Sequence, residues 1–396
     1  MPDQKVLYHK KLIDDTVRFN SPERVPFFPH FFLWAALDAG YKISEVSDDW
    51  DLNVQVQKRF HETYKFDVAR IQSGLVCHPR KMLDGIGIGF NVFNDEQESI
   101  ELKDFRLLFP GEYDAFMEDR KRFLWESMLP RKFPAWNDLK VKDLVEPLEE
   151  WKRYNEHTAQ LNEMAINVFH LPKFNASGPA PNPVDSLYLS WAGLEGASID
   201  ARRQPEKFAQ AIALLDSEST DPFVELMKSG KIDSSLHAFD ISFGMLSHNF
   251  MSIKQFGKFY WPTLKKIFDT AFAPEQNFIM HMMAQGQIIR LADFFHDLPK
   301  GHLAIQFEME NPYEMRKAMP NITAVGGMTT HYLGNSTVDE CLAYAQQLVN
   351  DLGSGEGGFI LAPDKMMSYR RDAKGENLKA VCDYIAQLSV QEEGNL

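Results

Sequence analysis

Short apolar runs alternate with longer segments of helical spacing through the C-terminal half of the chain. Residues 185–191, 236–240, 277–281, 302–308, 322–331 and 357–362 read as strands. Residues 205–227, 252–272 and 377–388 read as helices, with Pro205 suited to a first helical turn. Strands separated by helices imply a parallel sheet. Nearer the N-terminus, residues 5–20 mix charged and apolar positions and predict a helical arm. Residues 24–30 read as a strand whose Pro26 and Pro29 limit its ladder bonds. Residues 49–66 predict a helix, with Leu52, Val56, Phe60 and Tyr64 four apart, and residues 67–72 a second strand. A total of about eight strands favours a barrel over an open sheet. The expected fold is α/β: a (β/α)8 TIM barrel with residues 1–396 in one domain.

Residues 83–108 break this pattern. Glycines at 85, 87 and 89, then Asn94-Asp95 and an alternating stretch at 99–102, predict antiparallel hairpins. The glycines lack the G-x-G-x-x-G spacing of a dinucleotide loop. Residues 110–170 read as helices and 173–183 as a loop, so 83–183 is expected to be a hairpin and helical insertion capping the barrel.

Composition narrows the function classes. With 44% hydrophobic and 25% charged residues among 396, the chain has ample material for a core. A net charge of −14, without a basic stripe or zinc-finger spacing, argues against nucleic acid as a partner. Three cysteines without a C-x-x-C pair fit a reduced, cytoplasmic setting. The first residues lack an apolar signal core, and no apolar stretch approaches the roughly 20 residues of a membrane span.

The candidate chemistry lies at the strand ends. His281, Glu308 and His331 each close a predicted strand, separated by 27 residues (308 − 281) and 23 residues (331 − 308). In a parallel barrel such ends converge on one face, and two imidazoles with a carboxylate there make a metal site of the His2Glu type. Asp240 ends the preceding strand, and Glu310 shares a strand face with Glu308; both are candidate proton-transfer groups, and Glu310 is an alternative ligand. Phe31, Trp34, Trp191, Phe243, Met283, Met328 and Met366 fall near strand ends, where they would sandwich a planar ring. Structural roles stay open for each: a core histidine at 281, an ion pair of Glu308 with Arg316 or Lys317, an exposed His331, a capping Asp240, and methionines that fill a core.

Arg24-Val-Pro, the segment 250–262 (FMSIKQFGKFYWP), Gly358-Phe-Ile-Leu-Ala-Pro363 and Glu376-Asn-Leu378 occur in an order and spacing that resemble the uroporphyrinogen decarboxylase superfamily, from about residue 15 to the C-terminus. That resemblance implies a TIM barrel and one of two activities, decarboxylation or corrinoid-linked methyl transfer. Where the decarboxylases carry an arginine motif for a polyanionic porphyrinogen, residues 30–40 hold no arginine. Where the coenzyme M methyltransferases carry two thiolate ligands for zinc, this chain has Met283 and Lys365, keeping only His281. What remains resembles the methyltransferases of anaerobic O-demethylase systems. The resemblance therefore implies removal of the methyl group of a methoxylated aromatic such as guaiacol or veratrole. The acceptor would be the cobalamin of a separate corrinoid protein, with zinc on the ether oxygen held by His281, Glu308 and His331. A metal-free decarboxylase-like lyase and a methylcorrinoid:thiol methyltransferase are the alternatives.

Overall fold

The computed structural model describes residues 3–71, 91–102, 106–133, 135–353 and 355–388. Of the hairpins expected over 83–108, the described part is one antiparallel pair, β1 (Asn91–Asn94) with β2 (Ser99–Leu102). Residues 83–90 and their glycines, like Cys77, lie outside the described residues.

Seven further strands are parallel. β3 (Lys173–Asn175) pairs with β4 (His237–Phe239). β5 (Ile241–Met245), β6 (Met280–Ala284), β7 (Leu303–Phe307), β8 (Thr323–Met328) and β9 (Phe359–Pro363) form a five-stranded sheet in that order. β4 runs into β5 through Asp240, whose N–H donates to the Ile279 carbonyl. At the other edge, the Phe28 N–H donates to the Leu361 carbonyl and the Leu361 N–H to Pro26. The Asp67 N–H then donates to Phe27 and the Ala69 N–H to Pro172, with parallel bridges at Phe27–Leu361 and Ala69–Lys173. Backbone hydrogen bonds thus run from β9 through residues 26–28 and 67–69 to β3. The expected strands at 24–30 and 67–72 make these contacts with very few ladder bonds, as Pro26 and Pro29 foretell for the first.

Each strand alternates two environments. Ile305, Ala324, Phe359 and Leu361 join the large core under the surrounding helices. Phe28, Val68, Phe239, Ala304, Val325, Ile360 and Ala362 form a second cluster between the strands. The helix Gln4–Arg18 belongs to that second cluster through Ile13 and Val17. The Gly358 N–H donates to its Thr16 carbonyl, the Thr323 hydroxyl to Val17, and Arg18 to Asn277. All three partners precede or open a strand, so the segment read as an arm is a base packed on the N-terminal strand ends.

A buried ion pair locks that base. Arg24 donates through both Nη atoms to Asp67, at 2.9 and 2.6 Å, while His9 and the Phe27 N–H also reach the carboxylate. Burial pushes the Asp67 carboxyl up, but Arg24 and His9 outweigh it and hold the group far below its usual range.

Two expectations are corrected here. Residues 185–191 are helical, not a strand: Pro183–Ser186 continues into a π-turn, Leu187–Trp191. Asn182 caps that helix by accepting from the Asp185 N–H, and Pro183 occupies its first position. The strand expected there is instead β3, inside the stretch read as a loop over 173–183. The helix Val145–Asn167 and the shorter helices before it fill 110–170 as expected. No helix among the described residues is long and apolar enough to cross a membrane.

Candidate functional site

A cavity of about 740 Å³ opens at the C-terminal side of β3, β5 and β6. In a parallel sheet this is the end where loops collect and strand side chains converge. Its described walls include Arg70, Phe174, Asn175, Ser242, Phe243, His281 and Met283.

His281 is the second residue of β6, level with Ser242 and Ala304, rather than at the strand end. Its ring is almost wholly buried and lies 5.1 Å from Phe28, 5.0 Å from Phe174 and 5.1 Å from Phe239, ring centre to ring centre. Its Nε2 is 3.1 Å from Gln306 Oε1. Burial, and then the Arg70 guanidinium, push the imidazole down to about 3, so it is neutral at physiological pH. The neutral ring donates through Nε2–H to the Gln306 oxygen.

Glu308 follows the last residue of β7. In the register of β6 and β7, His281 is level with Ala304, four residues short of Glu308. At strand rise that is roughly 13 Å of separation along the sheet. Glu308 accepts from the Met366 N–H and lies beside Asp364 and Lys365; burial raises its carboxyl pKa, and Asp364 raises it further. His331 is exposed on the helix Thr330–Asn335, edge-on to Tyr332. The three residues therefore sit at different depths. Among the described residues no group of three His, Cys, Asp or Glu side chains is placed to hold a metal ion. The zinc ligand set expected from the resemblance does not fit this arrangement, and no step is assigned to zinc here.

Asp240 and Glu310 serve backbone. Asp240 accepts from the Ile279 N–H at 2.6 Å, at the start of β6 and within electrostatic reach of Asp14 on the base helix. It is not among the residues that line the cavity. Glu310 turns away to accept from the N–H groups of Ile288 and Ile289, capping the short helix Ile289–Phe294.

Of the seven expected substrate contacts, Phe243 and Met283 line the cavity. Phe31 is packed on Phe60 in the outer core, and Trp34 is buried there with its indole N–H on the Ala373 carbonyl. Met328 is fully buried in the same core. Trp191 packs edge-on against Phe116 of the inserted helices, under the Arg120 guanidinium. Met366 lies on the loop beside Glu308. Lys365, where the resemblance places a cysteine, pairs with Asp372 at 2.7 Å.

The sequence reading passed over Arg70. Its signal was present: an arginine two residues after Val68, on the same strand face, in an otherwise apolar run. The guanidinium stands 5.2 Å from the Phe174 ring centre and 5.8 Å from that of Phe28, and its Nη1 is enclosed with no hydrogen-bond partner. Burial lowers its pKa to about 10, which leaves it charged at neutral pH. His30, wholly buried, is close enough for the charge to act on it: burial first, then Arg70 and His281, push it well below its usual range.

In sequence, no family model and no curated protein matches this chain. In structure, it is similar to a methyltransferase from Methanosarcina mazei, with a TM-score of 0.59 at 14% identity, over 96% of this chain and 97% of that one. This likeness shows a shared fold.

Proposed function

We propose that the chain is a methyltransferase on a (β/α)8 barrel, taking the methyl group of an aryl methyl ether for the cobalamin of a separate corrinoid protein. The observation that carries the reading is the cavity with Phe174, Phe243 and Met283 in its walls, at the C-terminal strand ends of a fold shared end to end with a methyltransferase. The run of hydrogen bonds from β9 through residues 26–28 and 67–69 to β3 supports closure of the strands into an eight-stranded barrel. In that reading the chain is one domain, and the insertion ends before β3 rather than at residue 183.

A methoxylated ring is flat and apolar, so phenyl and thioether walls bind it while its oxygen needs polar company. The partner's cobalamin would supply the nucleophile for the methyl carbon. As the carbon–oxygen bond breaks, its electron pair stays on the oxygen, and this chain must stabilise that charge. Ser242 brings a hydroxyl and Asn175 an amide donor to the cavity wall, and the Asn175 Nδ2 has no hydrogen-bond partner among the described residues. The proton is assigned to Glu308. It lies two residues beyond Gln306, the β7 residue level with Met283, and so on the same face about 7 Å further out. Its raised pKa suits a general acid.

The test is incubation of the protein with guaiacol or veratrole and a reduced corrinoid protein. The expected products are the free phenol and methylcobalamin in equal amounts. Decarboxylation of a porphyrinogen, or methyl transfer from methylcobalamin to a thiol with none from the ethers, would overturn the reading.

A further inference from the structure

The cavity is positive in a negative chain. Its described walls carry Arg70 and Lys173 and no carboxylate, although the whole sequence has a net charge of −14. The Arg70 cation lies over the neighbouring rings of Phe28 and Phe174, and no described carboxylate pairs with it. A half-buried cation without a counter-ion is costly in the folded protein, and each buried donor left unpaired adds to that cost. Among the described residues Arg70 Nη1 and Asn175 Nδ2, both on cavity-lining residues, are buried without partners, and so is Nε2 of Gln306, the neighbour of the cavity residue His281. Gln306 stands behind His281, which its oxygen accepts from, so the amide nitrogen is the end left over. The two histidines flanking the guanidinium do not compensate it, since neither carries negative charge.

What would satisfy this arrangement is a permanent anion rather than the transient charge of a leaving oxygen. The lining adds a second condition, because Phe174, Phe243 and Met283 favour a flat apolar body beside that anion. A guanidinium also matches a carboxylate in shape, through two parallel N–H donors. We propose that the cavity takes an aromatic carboxylate, with the Arg70 guanidinium on the carboxylate and the ring between Phe174 and Met283. Under the function proposed above, the methyl donor is then a methoxybenzoate rather than a neutral methoxybenzene. That last step rests on the methyltransferase reading; the carboxylate site does not.

Calorimetric titration of the full chain with 3-methoxybenzoate and with 3-methoxybenzamide tests the site. The acid is expected to bind at least about ten-fold more tightly than the neutral amide, the size of effect a charge-assisted hydrogen bond gives. Arg70→Gln is expected to bring the two within about two-fold, and Arg70→Lys to keep part of the preference. Equal binding of acid and amide by the unmodified protein overturns the proposal even if the variants fail to fold. So does Arg70→Gln that folds and keeps the preference. Displacement of the acid by an equal concentration of inorganic phosphate would show a small-oxyanion site and overturn the aromatic part. Methyl transfer is scored separately. Preference for the acid without transfer sinks the methyltransferase reading and leaves the site standing; transfer from guaiacol without that preference does the reverse.

Discussion

Glu308 and His281 show how one residue's surroundings set its chemistry. Both were read as ligands of one metal, yet the structure gives them opposite states. The His281 ring is enclosed by three phenylalanines and held neutral, so its work is to orient Gln306 through Nε2–H. Burial raises the Glu308 carboxyl pKa, and the residue sits four positions further along the sheet than the level of His281. A group acting as an acid must be protonated, so wild-type turnover is expected to fall as pH rises through the raised Glu308 pKa. Glu308→Gln should lower kcat by about 10²–10⁴-fold and remove that alkaline limb while leaving KM nearly unchanged. A pH–rate profile of both proteins checks it; an unaltered limb in the variant would assign the acid elsewhere.

Among the elements, the strands that carry the fewest ladder bonds carry the strongest side-chain tie. Residues 26–28 and 67–69 are joined by single backbone hydrogen bonds and by the Arg24–Asp67 pair, which also anchors the base helix through His9. Asp67→Asn removes the carboxylate charge that faces buried Arg24, an expected loss of about 3–5 kcal/mol in urea unfolding. Replacing both, as Arg24→Met with Asp67→Leu, is expected to recover most of that loss, because neither charge then needs a partner. The same elements show why 185–191 was misread. Seven residues with apolar positions at 187, 189 and 191 satisfy a strand pattern, and a short apolar run does not separate helix from strand. The Asn182-Pro183 start was the signal that did, while β3, at three residues, is too short to show any period.

For the molecule as a whole, buried neutral histidines couple stability to acidity. His61 and His248 are pushed down to about 4 and His281 to about 3, in each case first by burial, and His30 is lowered too. Their folded pKa values lie below the unfolded value near 6.5, so below that pH the unfolded chain binds more protons and unfolding is favoured. The melting temperature is therefore expected to hold above pH 7 and to fall steadily between about pH 6.5 and 4. Thermal unfolding followed across that range checks it, and replacing His61 with Phe should flatten the slope. By itself the sequence determined the alternation of parallel strands and helices from residue 236 onward and an antiparallel pairing within 83–108, because periodicity and turn residues act over neighbouring positions. Only the tertiary structure decided that His281, Glu308 and His331 stand at different depths, that Asp240 and Glu310 are tied to backbone, and that Arg70 has no carboxylate partner among the described residues. Those outcomes depend on which side chains meet across strands and how far each is removed from water, and neither is written in the spacing along the chain.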